Sequence, residues 1–415
     1  MPTKSKIISG ILGLVIASII VISTTVVYTY DYNIEDIKTK IIDNFGNEQI
    51  TKLFPSDGET STAADGKQDS KSGLENAVIF SLVRNSELQG MIDSIKFLET
   101  RFNKNYHYPW YFANNEPFTE DFKSKISEAV SGETKFITIP TEYWSYPDFI
   151  DMDKADKSRM QAQSEGIMYG SSESYRHMCR FNSGFFYKLK ELENIDYYWR
   201  VEPDVKFKCD INHDPFKKMR EEGKLYGFNM GLAEDSRTIR TLWDDVVEFF
   251  KENPKMLSKP NNMDFISDDQ GKSYNLCHFW SNFEIGDLRF FRSEAYEQFF
   301  QYMDKKGGFF YERWGDAPFH TIAVSTLLPP DKLMFVPYTG YYHKPNQDCP
   351  RSEKIREELN CNCRPEKDFT WHKWSCINKY FEVNGLEKLN AGIEKRDGVR
   401  YEAMDDTLSR LFAGK

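Results

Sequence analysis

No Asn-x-Ser/Thr sequon occurs in the 415 residues, so N-linked glycan is not expected on the chain itself. No block of basic residues interrupts the balance of 54 Lys and Arg against 64 Asp and Glu. The net charge of −10 that results argues against a polyanion, so nucleic acid is not an expected partner. There is no internal repeat, which leaves out an array of stacked units. Charge is absent altogether from Ile7 to Tyr30, and cysteine is absent before Cys179. What is present is 40% hydrophobic and 28% charged residues, enough for one large or two ordinary folded domains and unlike a disordered or fibrous chain. Aromatic residues reach 15%, and rings serve both a core and a flat platform for a sugar.

The uncharged run can cross a hydrocarbon core of ~30 Å at ~1.5 Å per helical residue. A cleaved signal peptide has a shorter apolar stretch, about 7–15 residues, so an uncleaved signal anchor over 7–30 is expected. Lys4 and Lys6 precede it, and Asp31, Glu35 and Asp36 follow. That asymmetry keeps residues 1–6 cytoplasmic and sends the remainder to the lumenal side. Residues 31–74 read as a flexible stalk, because Pro55 to Gly73 has only Ala63 and Ala64 to bury. The lumenal domain is then 75–415. Its seven cysteines, Cys179, Cys209, Cys277, Cys349, Cys361, Cys363 and Cys376, are expected in disulfides with at least one left over. Cys361, Cys363, His372 and Cys376 have spacings that could hold zinc, but an oxidising lumen favours bridges.

Within this domain, short β-branched runs alternate with helical patterns. Strands are expected at Ala77–Val83, Tyr108–Ala113, Lys135–Ile139, Tyr197–Val201, Leu225–Asn229 and Leu333–Val336. Helices are expected at Glu87–Arg101, Lys154–Gln163, Ser174–Lys190, Thr238–Lys251 and Glu294–Asp304. The alternation predicts an α/β domain with a mainly parallel sheet. Ligands of open α/β sheets sit beyond the carboxyl ends of the strands. Arg84-Asn85, Glu202-Pro203-Asp204 and the loop carrying His343 fall there.

Glu202 and Asp204, two apart in an extended segment, would present two carboxylates to one ion. Oxygen ligands with one imidazole suit Mn²⁺ or Mg²⁺, although an acidic pair on a surface turn reads the same way. Asp151 and Asp153 run into a polar helix start, where capping explains them, and Asp268 and Asp269 lie in a solvated turn. Arg176 and Arg180 share a helix face and could meet phosphate or carboxylates alike. Glu284 is set among rings and amides, where a carboxylate is either satisfied by donors or poised for chemistry. Arg313-Trp314-Gly315-Asp316 places an aromatic plate beside an acid.

Six blocks, SLVRN (81–85), YRHMCRF (175–181), EPDVKF (202–207), CHFWSNFEIGDLRFFR (277–292), RWGDAP (313–318) and YYHKP (341–345), closely resemble the fungal Golgi α-1,2-mannosyltransferases. The resemblance covers residues 75–380 in the family's order, and the anchor and stalk fit the same type II layout. Lys208 departs from the pattern by interrupting an aromatic stretch. The resemblance implies a GT-A-like α/β fold with a mixed, mainly parallel sheet and Mn²⁺ as cofactor. It implies mannose transfer from GDP-mannose, with retention, to a mannose-terminated O- or N-linked glycan. By motif, Glu202 and His343 are implied as metal ligands and Glu284 as nucleophile or stabiliser of the transition state. Tyr175 and Arg200 are then expected around the donor, Arg84, Arg180 and Asp204 at the nucleotide or its phosphates, and Asp316 at the acceptor. Transfer of mannose 1-phosphate and a non-catalytic lectin are the competing readings.

Overall fold

The computed structural model describes residues 73–389. The 1–6 tail, the 7–30 run and the stalk up to residue 72 therefore lie outside the described residues, as do residues 390–415. Among the described residues no helix is long and apolar enough to cross a membrane.

A seven-stranded sheet runs through the domain. In chain order its strands are β1 (Ala77–Leu82), β2 (Trp110–Asn114), β3 (Thr134–Thr138), β4 (Tyr197–Val201), β5 (Tyr226–Phe228), β8 (Phe283–Asp287) and β9 (Leu333–Phe335). Their spatial order is β3-β2-β1-β4-β8-β5-β9. All neighbours pair parallel except β8, which runs antiparallel to both β4 and β5. β1, β2 and β4 are buried nearly throughout, as expected of central parallel strands covered on both faces. Alternation divides the core: Val78, Phe80 and Tyr198 enter one layer, and Ala77, Ile79, Tyr197, Trp199 and Val201 the other. Connections leave β1 in opposite directions, to β2 on one side and, much later, to β4 on the other. The β1–β4 boundary is thus the topological switch point, the place where ligands of open α/β sheets sit.

Two helices pack on the Tyr198 side of the sheet. Glu173–Gly184 starts at Ser172, whose hydroxyl accepts from the Tyr175 amide at 3.2 Å. The expected helix over Ser174–Lys190 ends at Gly184 and gives way to two 3₁₀ turns. Asp316–Leu327 is apolar on nearly every side and buried from Asp316 to Thr326 apart from Ala317, the pattern of a helix enclosed in the core. Two small ladders complete the sheet structure. β6 (Gly231–Ala233) pairs with β7 (Cys277–Phe279), and β10 (Tyr342–His343) with β11 (Asn346–Gln347), around a cis Lys344–Pro345 peptide.

Three disulfides tie the second half together: Cys209–Cys361, Cys277–Cys376 and Cys349–Cys363. The cysteine left over is Cys179, which is buried. Cys361, Cys363 and Cys376 are all bridged, so the zinc spacing holds no ion.

Candidate active site

The polar centre grows from one cross-strand pair. Arg200 on β4 stands opposite Glu284 on β8, and both belong to the face that carries Tyr198. Glu284 is 1% exposed. Its carboxylate accepts from the hydroxyls of Tyr198 and Tyr226, the latter at 2.8 Å, and lies 2.6 Å from Nδ1 of His320. The other ring nitrogen of His320 donates to the Asn182 carbonyl at 3.0 Å. The ring is thus held between the buried acid on one side and a backbone carbonyl on the other. Burial alone would push Glu284 upward, but the His320 charge, its hydrogen bond and Arg200 hold it below the ordinary range. Burial, with the Glu284 charge added, raises both phenols well above theirs, which keeps them as donors.

Arg200 joins this acid to two more. Its guanidinium reaches Asp316 at 2.5 Å and Glu202 at 2.5 Å. Asp316 also accepts from Ser281 at 2.8 Å, and it opens the buried helix, where the free amides and dipole favour negative charge. Burial opposes ionisation of Asp316, and Arg200 with His320 overcomes it, leaving the group below its usual value.

Glu202 follows directly on β4 and is half-buried. One oxygen is held by Arg200, which leaves the other for a ligand. Asp204 departs from the sequence expectation. The strand ends at Val201, Asp204 adopts φ +63°, and its amide donates to Gly90 at 3.1 Å. An added Cβ on Gly90 would come within 2.8 Å of its carboxylate. The two acids therefore do not share an extended segment. The other residue expected at the metal, His343, lies late in the chain. Lys206 exchanges backbone hydrogen bonds with Tyr342, and the Lys208 amide donates to Gly340, which seats the His343 ladder beside the segment that follows Glu202. The Nδ1 of His343 lies 2.8 Å from the Asn282 amide, so Nε2 remains for a ligand. Lys208, the atypical residue, sits over the Tyr342 ring at 4.6 Å.

One carboxylate oxygen with one imidazole nitrogen suits a hard to borderline divalent ion that completes its shell with substrate phosphates and water. The alternative trio among the described residues, Cys209, Cys361 and Cys363, consists of bridged sulfurs.

Arg84 follows β1 at the switch point, exposed, with its guanidinium 2.9 Å from the Ser174 hydroxyl. Tyr175, half-buried, is stacked on exposed Tyr169 at 4.5 Å and lies beneath the Arg313 guanidinium at 5.3 Å. Tyr175 also feels the charge of Asp316, which links this pair of residues to the Arg200 cluster. Arg180 points elsewhere: its guanidinium pairs bidentately with Asp304 at 2.7 and 2.8 Å, a partner quite different from a phosphate. Arg176 binds the carbonyls of Gly170, Ser172 and Glu312. Asp151 caps its helix through the Lys154 amide at 3.1 Å, and Asp269 closes its own loop onto Ser273.

Sequence reasoning missed Tyr198, Tyr226, Ser281 and Asn282, and set His320 aside as structural. The usable signal for His320 was its place one turn after Asp316 on the same helix, which points both side chains the same way.

A family model described as Glycolipid 2-alpha-mannosyltransferase matches residues 32–385. Glycolipid 2-alpha-mannosyltransferase 1 of Candida albicans is 52% identical over 319 residues, covering 77% of this chain and 74% of that protein. Alpha-1,2 mannosyltransferase KTR1 of Saccharomyces cerevisiae is 48% identical over 314 residues, covering 76% and 80%. Among solved structures, core-mannan synthase A from Aspergillus fumigatus, in a Mn/GDP form, matches with a TM-score of 0.72 at 38% identity, covering 81% of this chain and 94% of that one. The mannosyltransferase Ktr4p from S. cerevisiae, in complex with GDP, gives 0.72 at 34% identity, covering 86% and 93%. With the sheet order, the acid cluster at the switch point and these likenesses together, the chain belongs to the glycolipid 2-alpha-mannosyltransferase family and is an α-1,2-mannosyltransferase.

Proposed function

We propose that the chain transfers mannose from GDP-mannose, with retention, to the 2-hydroxyl of a mannose-terminated O- or N-linked glycan. The observation that carries this reading is the meeting of Glu202, Arg200, Asp316 and Glu284 at the switch-point end of β4 and β8, with His343 brought alongside. Mn²⁺ is the proposed cofactor, with Glu202 and His343 as its protein ligands; the Mn/GDP form of core-mannan synthase A supports that choice of ion. Bound there, the ion would offset the charge that builds on the diphosphate as GDP departs.

The residues of the chain do the rest. Arg200 stays charged, because three carboxylates hold it well above its ordinary value against the pull of burial. It holds Glu202 and Asp316 at a set separation, so the two carboxylates are preorganised before substrate arrives. Arg84, at the switch point, is placed to meet the nucleotide phosphates, and Tyr175 to orient the donor. Asp316 is proposed to receive the acceptor hydroxyl. Glu284, ionised and aimed by His320, Tyr198 and Tyr226, stabilises positive charge developing at the anomeric carbon, or attacks it. Arg180 is better read as a structural ion pair.

We place the enzyme in the Golgi membrane, anchored by residues 7–30 with residues 75–415 lumenal. The disulfides support an oxidising compartment. The test is incubation with GDP-mannose, Mn²⁺ and methyl α-mannoside, followed by proton NMR. An α-1,2-linked dimannoside that vanishes on chelation is expected. An acid-labile phosphodiester product would replace this reading with mannose 1-phosphate transfer. No turnover by folded, Mn²⁺-loaded protein would replace it with a lectin.

A further inference from the structure

Asn282 stands between the two proposed metal ligands. Phe283 faces Val201 in the antiparallel β4–β8 pair, so Asn282, one step beyond, lies at the level of Glu202. Its side chain touches His343, Nδ2 to Nδ1 at 2.8 Å, while the Trp280 ring packs against the same imidazole at 5.1 Å. On its other side is Tyr341, whose hydroxyl lies 2.9 Å from the Asn282 carbonyl and 3.1 Å from Oδ1. Asn282 and Tyr341 are both buried, at 6% and 0% exposure.

A neutral imidazole that binds a cation through Nε2 carries its proton on Nδ1 and needs an acceptor there. An amide nitrogen facing Nδ1 requires the opposite tautomer, with the proton on Nε2, where it blocks the ion. A carboxamide can present either end. Turned over, it offers Oδ1 to Nδ1–H and Nδ2 to the Tyr341 oxygen. The Tyr341 hydroxyl still donates to the Asn282 carbonyl, so each donor meets an acceptor.

We infer that Asn282 is a positioning residue for the divalent cation: its carboxamide oxygen holds His343 with the proton on Nδ1 and leaves Nε2 for the ion. The inference rests on the reading of Glu202 and His343 as ligands.

Mn²⁺ would be titrated into the detergent-solubilised full chain with GDP present, reading free Mn²⁺ by electron paramagnetic resonance. Asn282→Leu is expected to weaken Mn²⁺ by about 10–100-fold, the usual loss when a ligand's supporting partner is removed. Asn282→Asp keeps an acceptor oxygen and is expected to keep the parent's affinity. Parent-like binding by Asn282→Leu, or an equal loss in both variants, would overturn the inference. His343→Ala and Glu202→Ala serve as a separate check: parent-like Mn²⁺ binding in both would overturn the metal-site reading itself. Should Asn282→Leu fail to fold, the unsubstituted protein still decides. The nitrogen NMR shifts of His343 in the Mg²⁺- and GDP-loaded state are expected to show a protonated Nδ1, and a protonated Nε2 would end the proposal.

Discussion

Glu284 has no solvent to stabilise its charge, so three protein donors do that work. Glu284→Gln turns an acceptor-only group into one that must aim an N–H at Tyr198, Tyr226 or His320. Removing one partner of a buried charged pair costs roughly 3–5 kcal/mol, so a clear drop in melting temperature is expected together with loss of turnover. Calorimetry and the mannose-transfer assay check the two effects, and full turnover would remove Glu284 from the chemistry. Glu284 and Asp316 both lie below their usual values. The stability they contribute is therefore present above the ordinary carboxylate range and is lost as pH falls through and below it. At this scale the sequence was informative where a motif carried its own geometry. Glu202 follows directly on a strand and His343 ends a short one beside an aromatic pair. Asp204 misled because the two-residue period stops where β4 stops. His320 was hidden because its partner lies 36 positions away on another element.

The elements that hold these side chains tolerate little change. Gly308 lies under Trp314, and an added Cβ would come within 1.9 Å of that indole. Gly308→Ala must displace the ring two residues before Asp316, and overpacking of this kind costs about 1–3 kcal/mol. A lower unfolding midpoint is expected, with a weaker apparent affinity for acceptor if Asp316 shifts with the ring; urea denaturation and acceptor KM test this. Behind the His343 ladder lies a second acid pair. Burial, with the Asp368 charge added, pushes Asp348 up to about 7, and burial pushes Asp368 up to about 6. The folded state then binds more protons than the unfolded chain between about pH 4 and 7. Stability from this pair is therefore greatest at the acid end of that window and declines as pH rises through it. Melting temperatures from pH 5 to 7.5 should show the decline, and Asp348→Asn should flatten it. Every strand of the central sheet except β8 was legible from periodicity, whereas the short helices and the largely buried Asp316–Leu327 helix were not. β8 was not read as a strand, because Glu284 and Asp287 put acids into a five-residue run and only a buried network makes that acceptable.

Over the whole molecule, the α/β class and the gathering of polar clusters beyond the carboxyl ends of the strands could be read from the order of elements, while the strand order that sets the switch point could not. The disulfide partners could not, since pairing depends on which loops meet in space. Cys277–Cys376 closes a separation of 99 residues and joins β7 to the start of the Ile377–Val383 helix. Replacing both cysteines with alanine should cost about 2–5 kcal/mol, the usual range for a native disulfide, and chemical denaturation would measure it. Mild reduction of the parent should weaken Mn²⁺ binding before the sheet unfolds, because Cys209–Cys361 and Cys349–Cys363 flank the segment that delivers His343. Equal loss of Mn²⁺ and of far-ultraviolet dichroism would contradict that order. The late position of His343 also bears on biosynthesis. The ribosome completes β1 to β4 and Glu202 long before it reaches His343, and Cys349, Cys361 and Cys363 are made later still. On the proposed reading of His343 as a metal ligand, a nascent chain would carry the first carboxylate long before the imidazole that completes its hold on a cation.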